Sequence, residues 1–117
     1  MENKPLVSLD DFKKLEIKIG HILSAEKVAD ADKLLKLSVD FGETSPRQII
    51  SGISTYFPDP QVLVGKKCAF AANLEPRTIR GFESQGMILA VSGGEGDSSF
   101  FSLLETSGNV LSGSAVK

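Results

Sequence analysis

The segment from Leu35 to Phe41 carries the pattern that most narrows the fold of this chain. Apolar residues occupy every second position of L-K-L-S-V-D-F, and Lys36, Ser38 and Asp40 stand between them. A period of two places the apolar side chains on one face of a β-strand. We therefore predict a half-buried strand here, ended by the glycine that follows.

Further short segments of this kind are separated by turn residues, which indicates an all-β chain. They run over residues 17–22, 47–53, 65–72, 85–91 and, more briefly, 100–104. Gly20, within the first segment, predicts a bulge or a sharp bend. Turns are predicted at 30–33, 43–46 and 93–97, and Pro58 and Pro60 predict a loop with at most a short helical piece before Val64.

A short helix is predicted before the first strand. Ser8 suits the N-cap, and Asp11 supplies an acidic residue at the third helical position. One or two turns would place Leu9, Phe12 and Leu15 on one face of this helix.

Five principal strands with one loop-helix after the third predict a small closed Greek-key barrel. An SH3-like barrel or a split sandwich fits the same pattern, because periodicity does not determine strand order. The 117 residues predict a single domain. We expect the barrel to span about residues 8–92 and an irregular C-terminal extension to span about residues 93–117.

The cysteine and histidine content limits the kinds of site that the chain can build. Cys68 is the only cysteine, which excludes an internal disulfide and predicts a packed side chain in a reducing cytoplasm. His21 is the only histidine, so we expect neither a zinc site nor another cofactor. No apolar run approaches the ~20 residues that span a bilayer, and no secretion signal is evident.

Sequence motifs of the common enzyme classes are absent. Gly65-Lys66-Lys67 lacks the upstream glycine and the hydroxyl residue of a nucleotide phosphate loop. Ser84 lies in F-E-S-Q-G, which lacks the first glycine of a nucleophile elbow. A surface or packing role suits His21 better than that of a catalytic base. We therefore expect no intrinsic enzyme activity.

The connection from Asn73 to Met87, N-L-E-P-R-T-I-R-G-F-E-S-Q-G-M, is rich in polar side chains. Arg77 and Arg80 within it are two of the three arginines in the chain. A long solvated connection would account for the residue types alone. However, loops on a β scaffold commonly carry binding groups, and arginine suits bidentate contact with phosphate. The connection is therefore a candidate binding loop.

Basic residues also stand near the ends of other predicted strands, although the net charge is only −2. In a five-stranded barrel, several strand ends converge on one oligonucleotide-binding face. Aromatic residues that could stack on bases are few, with no Trp and one Tyr, which favours folded RNA over unstructured single strands. The basic residues near the strand ends are therefore further candidate RNA contacts: Lys33, Lys36, Arg47, Lys66 and Lys67.

Five ordered segments carry a resemblance to a known family. They are D-F-K-K-L-E-I-K-I-G-H-I (11–22), A-D-K-L-L-K-L-S-V-D-F-G (31–42), R-Q-I-I-S-G-I (47–53), L-V-G-K-K (63–67) and N-L-E-P-R-T-I-R-G-F-E-S-Q-G-M-I-L-A (73–90). Together they resemble the tRNA-binding domain found at the C-terminus of bacterial methionyl-tRNA synthetase, in stand-alone tRNA-binding proteins and in the endothelial-monocyte-activating polypeptide group.

This resemblance implies an OB-fold barrel that binds the elbow or outer corner of tRNA without reading an anticodon. It implies a free-standing or appended module of methionyl-tRNA synthetase, with the catalytic chain as a partner. The contact positions of the family fall here on Lys33, Asn73, Arg77, Arg80, Ser84 and Met87. Met87 equally suits a structural position at the start of a strand.

The resemblance also implies a homodimer formed through the C-terminal extension. The charge distribution agrees, since 12 of the 13 Lys and Arg residues lie within residues 1–80. The apolar candidates for this interface are Phe100, Phe101, Leu103 and Leu104, which would equally suit a core.

A chaperone-like protein of the same fold, which would bind unfolded polypeptides, is the alternative. The segments A-D-K-L and N-L-E-P-R favour tRNA binding, because the chaperone-like relatives resemble the family less there.

Overall fold

The computed structural model describes residues 3–117 as an all-β protein with one short α-helix, as the sequence predicts. The elements are α1 (Leu9–Lys13), β1 (Ile17–Val28), β2 (Ala31–Asp40), β3 (Arg47–Ser51), β4 (Lys67–Ala71), β5 (Arg77–Ile79), β6 (Phe82–Ser84), β7 (Met87–Ile88), β8 (Ala90–Gly93), β9 (Phe100–Leu103) and β10 (Ala115–Val116). Nowhere in this range is a helix long and apolar enough to cross a membrane.

The long strand β1 organises the main sheet. The strand order is β3-β2-β1-β4-β7, and β10 also pairs with β1. The first part of β1 pairs with β4 over residues 17–21, and its later part pairs with β2 over residues 21–28. The two parts meet at His21, and a register shift between Ile22 and Ser24 follows within the β1–β2 ladder. Such a bulge bends and twists a strand, so one strand can serve two surfaces of a curved antiparallel sheet.

The two edges of the main sheet meet where β3 passes the residues before β7. The backbone N–H of Gln85 donates to the carbonyl oxygen of Gln48 at 2.8 Å. In return, the N–H of Gln48 donates to the side-chain oxygen of Gln85 at 3.0 Å. The side chain of Gln48 also donates to the carbonyl oxygen of Glu83 at 2.9 Å. These bonds, which we call the β3 seam, curl the sheet into an OB-like barrel.

The alternating segment supplies much of the barrel core, as predicted. Phe41 meets Phe70 edge to face, with ring centroids 5.2 Å apart. Cys68 packs in the same cluster, and burial raises the pKa of its thiol to about 11. Further members of the cluster are Ile22, Ala25, Leu35, Leu37, Val39, Ile49, Ile53, Leu63, Ile88 and Leu103.

The cap of α1 is confirmed, since the Oγ of Ser8 accepts a hydrogen bond from the N–H of Asp11 at 3.0 Å. The apolar side of the helix does not bury itself against the barrel. Leu9 and Phe12 are 65% and 48% exposed, and Leu15, which lies beyond the end of the helix, is 40% exposed.

The structure differs from the sequence prediction in its shortest elements. The connection before β7 contains the hairpin β5–β6, and the predicted strand 85–91 divides into β7 and β8. The short helical piece expected before Val64 is present as the 3₁₀ turn Pro60–Leu63, and a second such turn, Ser54–Tyr56, precedes it. The tail contributes β10, so the main sheet has six strands rather than five. Strands of two or three residues are too short to show a periodicity, and only their partners stabilise them.

Gly20 is needed for close packing, and the predicted bulge at this position is wrong. Gly20 pairs in register with Cys68, while the bulge lies farther along β1. A Cβ at position 20 would lie 2.5 Å from Cγ1 of Val39 and 2.9 Å from the ring of Phe70. The strand therefore crosses the core at a point where no side chain fits.

Gly20→Ala should lower the free energy of unfolding by about 1–3 kcal/mol, because the added methyl group overpacks the core. Urea denaturation of the purified protein measures this change. Gly108→Ala is the matched control, since no atom lies within 4 Å of a Cβ built at Gly108. Equal stability of the two variants would contradict the packing role of Gly20.

Candidate nucleic-acid interface

A tight hairpin occupies the centre of the polar connection between Asn73 and Met87. Ile79 pairs with Phe82 as the last pair of β5 and β6, and Arg80-Gly81 forms the turn. The φ angles of Arg80 and Gly81 are 53° and 84°. Two positive φ values suit a two-residue hairpin turn, but arginine is uncommon in this conformation. A strained position of this kind, occupied by an exposed arginine, is a signal of function.

Ser84 anchors the base of this hairpin to β3. Its Oγ accepts a hydrogen bond from the N–H of Ile50 at 2.9 Å and donates to the carbonyl oxygen of Gly86 at 3.0 Å. The residue is only 2% exposed. The hydroxyl therefore serves the barrel and is not available to a ligand in this structure.

Lys33 reaches the hairpin from an irregular part of β2. Between the pairs Lys27–Leu35 and Val28–Ala31, three residues of β2 have no partner in β1, and Lys33 is the middle one. Such irregularities redirect side chains and are frequent beside binding sites. The predicted polar turn is correspondingly shorter, because β2 already begins at Ala31.

One cleft of about 480 Å³ joins β2 to the hairpin turn. Lys33 lines it from β2, and Arg80 lines it from the β5–β6 turn. The other lining residues are Asp30, Ala31, Asp32, Leu34 and Ile79. Two cations from distant parts of the sequence thus share one cleft with two carboxylates and several apolar side chains.

Three cations in and around this cleft have no ionic partner among the residues that the structure describes. Lys33, Arg77 and Arg80 are exposed, and none of them forms a salt bridge within residues 3–117. Lysines and arginines that do form one are Lys14, Lys18, Lys36, Arg47 and Lys66. An unpaired surface cation can meet a phosphate without first breaking an ion pair, so these three are the groups best suited to bind a polyanion.

The guanidinium of Arg47 is bound by groups of the protein itself. Its Nε and Nη2 donate to the two carboxylate oxygens of Glu43 at 2.8 and 2.7 Å. Its Nη1 donates to the carbonyl oxygens of Ala72 and Gln85, and the guanidinium lies 5.1 Å from the ring centroid of Phe41. The side chain therefore links the turn before β3 to the residues after β4.

The bidentate pair also shifts the ionisation of both partners. The hydrogen bonds from Arg47 hold the pKa of Glu43 below its ordinary value of 4.5 and raise the pKa of the guanidinium. Desolvation opposes both shifts and is the smaller effect.

Lys66 and Lys67 face the C-terminal segment. Nζ of Lys66 lies 3.1 Å from Oε1 of Glu105. Nζ of Lys67 donates to the carbonyl oxygens of Gly108 and Val110 at 3.2 and 2.8 Å. Both side chains thus hold the chain beyond β9 against the barrel.

Lys36 lies beneath the hairpin with two partners of its own. Its Nζ is 2.9 Å from Oε1 of Glu26 and 5.0 Å from the ring centroid of Phe82. Only 32% of the Lys36 side chain is exposed, so its ammonium is less available to a ligand than those of the free cations.

Asn73 connects the end of β4 to the end of the N-terminal helix region. Its Oδ1 accepts from the N–H of Glu16 at 2.7 Å, and its Nδ2 donates to the carbonyl oxygen of Lys14 at 2.6 Å. Met87 lies nearby on β7, opposite Ala71, and is 41% exposed. Asn73 thus has a structural role, whereas the side chain of Met87 is open to solvent.

The apolar residues near the C-terminus separate into two environments. The ring of Phe101 stacks on Tyr56 with centroids 4.0 Å apart, and Leu103 belongs to the barrel core with 6% exposure. Phe100 and Leu104 are 56% and 42% exposed. Leu103 is therefore not available to a partner chain, while Phe100 and Leu104 are.

The sequence interpretation missed the hairpin and the seam. The hairpin has a local signal, because a glycine-containing pair of residues stands between Thr78-Ile79 and Phe82-Glu83. The seam has none, since Gln48 and Gln85 are ordinary polar residues far apart in the sequence.

Glu43 should make the protein more stable at neutral pH than in acid. Because its pKa in the folded state is depressed, its contribution is complete above the ordinary pKa and is lost as the pH falls through the lower folded value. Thermal melts between pH 7 and pH ~3 should therefore show a smaller acid-induced loss for Glu43→Gln than for the wild type. Parallel profiles for the two proteins would contradict this linkage.

Comparison with known proteins identifies the family. The family model described as "Putative tRNA binding domain" matches residues 17–115. The methionine–tRNA ligase of Chlorobium phaeovibrioides is 44% identical over 117 residues. That alignment covers 100% of this chain but only 16% of the ligase.

Two solved structures agree with the all-β, OB-like fold. A MetRS-related protein from Pyrococcus horikoshii superposes with a TM-score of 0.85 and 37% identity, covering 97% of this chain and 100% of that one. The chaperone CsaA from Bacillus anthracis superposes with a TM-score of 0.78 and 25% identity, covering 97% and 100% of the respective chains. Since the family model spans nearly all of the described residues, the chain belongs to the tRNA-binding domain family.

Proposed function

We propose that this chain is a non-catalytic module that binds tRNA by its shape and backbone. One observation supports this most directly: Lys33 and Arg80 line the same cleft, and neither forms a salt bridge within residues 3–117. Arg77, on the same hairpin, is a third cation without a salt bridge in the described part of the chain. Membership of the tRNA-binding domain family and the ligase relatives favour tRNA as the polyanion.

The aromatic side chains favour folded RNA over unstructured strands. Binding of unstructured strands relies on exposed rings on which bases stack. The Tyr56 ring already stacks on Phe101, and the Phe82 ring already contacts the ammonium of Lys36. The exposed rings of Phe12 and Phe100 do not line the cleft. The free groups of the cleft are cations held by a bulged strand and a tight hairpin, which suits recognition of phosphates at fixed spacing.

We propose a smaller RNA surface than the sequence alone suggests. It consists of Lys33, Arg77 and Arg80, with the exposed Met87 as a neighbouring apolar contact. The other sequence candidates have partners within the protein and support the scaffold in this proposal. They are Lys36, Arg47, Lys66, Lys67, Asn73 and Ser84.

A biological role follows from tethering. A module that holds the body of tRNA raises the local concentration of substrate for an attached or associated synthetase, and can increase apparent affinity by ~10²-fold without contacts at the active site. Because the relatives are methionine–tRNA ligases, we propose methionyl-tRNA synthetase as the partner, either as an adjoining part of one chain or as a separate chain.

Binding of unfolded polypeptides is the competing function. The similarity to the chaperone CsaA motivates it, as do the exposed apolar side chains of Leu9 and Phe12 on α1. This function would not require the unpaired cations of the cleft. The two functions therefore predict opposite consequences when those cations are removed.

We further propose that the chain forms a homodimer through the exposed part of its C-terminal region. Phe100 and Leu104 offer apolar surface there, and Val91 on β8 is 46% exposed. This region carries no basic side chain between Arg80 and Lys117, so a partner chain would not cover cations that bind RNA.

Arg77→Ala and Arg80→Ala should each weaken tRNA binding several-fold and should flatten its salt dependence by ~0.9 in slope per lost phosphate contact. Gel shifts with total tRNA and with unstructured RNA of equal length measure both effects, and the wild type should prefer tRNA. Lys13→Ala is the matched control, because it removes one exposed charge on α1.

The result also separates the two functions. Unchanged tRNA affinity at low salt in both arginine variants would refute the proposed RNA surface. Suppression of the aggregation of an unfolded test protein by wild type and both variants alike, without a preference for tRNA, would support the chaperone function instead.

Phe100→Ser and Leu104→Ser should shift the protein from dimer to monomer. Loss of a buried apolar contact at an interface commonly raises the dissociation constant by about tenfold or more. Sedimentation velocity over a concentration series measures the shift, and Val62→Ser is a control with a similar exposure of 54% outside this region. Dimers of unchanged strength in both variants would move the interface elsewhere.

A further inference from the structure

The outer face of β2 and β3 carries the β5–β6 hairpin. Leu35 and Leu37 point into the core, so Leu34 and Lys36 point to the opposite face of the strand. Ile50, opposite Lys36 in the sheet, is also buried but lies outside the core cluster. A small second packing layer therefore exists between the outer face of the sheet and the hairpin.

Lys36 is the charged member of this layer. It stands opposite Glu26 in the β1–β2 ladder, with Nζ 2.9 Å from the carboxylate, and its Nζ lies 5.0 Å from the centroid of the Phe82 ring. An ammonium over an aromatic face is attracted by the ring quadrupole, and a fixed carboxylate behind it restrains its position. The three residues Glu26, Lys36 and Phe82 form what we call the outer clamp.

The position of Phe82 makes this contact consequential. Ile79 and Phe82 form the pair that flanks the Arg80-Gly81 turn, so the clamp holds the tip of the hairpin. The hydrogen bond between Ser84 and the N–H of Ile50 holds only the base. An isolated hairpin of this size is unstable in water, so the direction of Arg80 depends on both attachments.

We infer that Lys36 is a positioning residue for RNA recognition, and that Glu26 and Phe82 are its partners in this role. The outer clamp sets the separation of Arg80 from Lys33 across the cleft. This inference rests on the tRNA binding proposed above. It assigns Lys36 to the hairpin rather than to a phosphate, because its ammonium already has a carboxylate and a ring as neighbours.

Substitution of Phe82 tests the clamp without any change of charge. Phe82→Leu should weaken tRNA binding roughly three- to fivefold, the loss expected from one exposed cation–π contact, and should leave the salt slope unchanged. Phe82→Tyr should bind tRNA with the affinity of the wild type, because it keeps an aromatic face. Thermal melts of each variant establish that the barrel is folded.

Substitution of Lys36 completes a double-mutant cycle. Lys36→Met should weaken binding to the same extent as Phe82→Leu, and Lys36→Arg should restore it. The double variant should bind no more weakly than either single variant, because both remove the same contact. Lys27→Met is the matched control, since Lys27 is an exposed lysine on β1 that forms no salt bridge within residues 3–117.

A distance measurement tests the clamp without RNA. Spin labels on Ala29→Cys and Thr78→Cys, in a Cys68→Ala background, report the separation of the β1–β2 turn from the hairpin. Both positions are exposed. Lys36→Met and Phe82→Leu should broaden the distance distribution, and Lys36→Arg and Phe82→Tyr should keep it narrow.

The outcomes separate this inference from the proposed function. A wild type without preference for tRNA would refute the proposed function, and the positioning role would fall with it even if the label distances changed. Normal tRNA binding by the wild type and by Phe82→Leu, with an unchanged label distance, would overturn the positioning role alone. So would further weakening by Lys36→Met in the Phe82→Leu background with a flatter salt slope, because Lys36 would then contact phosphate itself.

Discussion

The hydrogen bonds between β3 and the residues before β7 are the constraint on which the rest of this structure depends. An open sheet leaves the N–H and carbonyl groups of its edge strands unpaired, and buried groups of this kind need partners. Here Ser84 and Gln85 supply them to Ile50 and Gln48. The bonds that close the barrel therefore also fasten the β5–β6 hairpin, and so the proposed binding surface depends on the closure of the fold.

The basic residues divide between two tasks. Some are engaged within the protein: Arg47 braces the turn before β3, and Lys66 and Lys67 hold the C-terminal segment. Others, such as Lys33 and Arg80, face solvent without an ionic partner in the described part of the chain. A weakly acidic protein can thus present free cations to the proposed RNA partner, because phosphate binding depends on the local arrangement of such cations more than on net charge.

The prediction from sequence succeeded where the signal was local. The alternation from Leu35 onward and the cap at Ser8 need only neighbouring residues, and both are confirmed. The sequence indicated that Gly20 is unusual but did not reveal why. The side chains that leave no room for a Cβ there, Val39 and Phe70, come from other strands. The hairpin β5–β6 was missed, although Arg80-Gly81 marks its turn, because strands of three residues are too short to show a periodicity.

The family, the strand-rich class and the concentration of arginine in one connection could all be read from the order of residues, because each is a property of neighbours along the chain. Whether each polar group is free to bind a ligand could not be read from the sequence. Ser84 and Asn73 look like surface contacts in the sequence, yet Ser84 bonds to Ile50 and Asn73 bonds to Lys14 and Glu16 across wide gaps in the chain. Folding alone brings such partners together, and a hydrogen bond requires its two atoms to be within about 3 Å of each other. For the same reason, Lys33 and Arg80 became parts of one cleft only when β2 and the hairpin packed side by side.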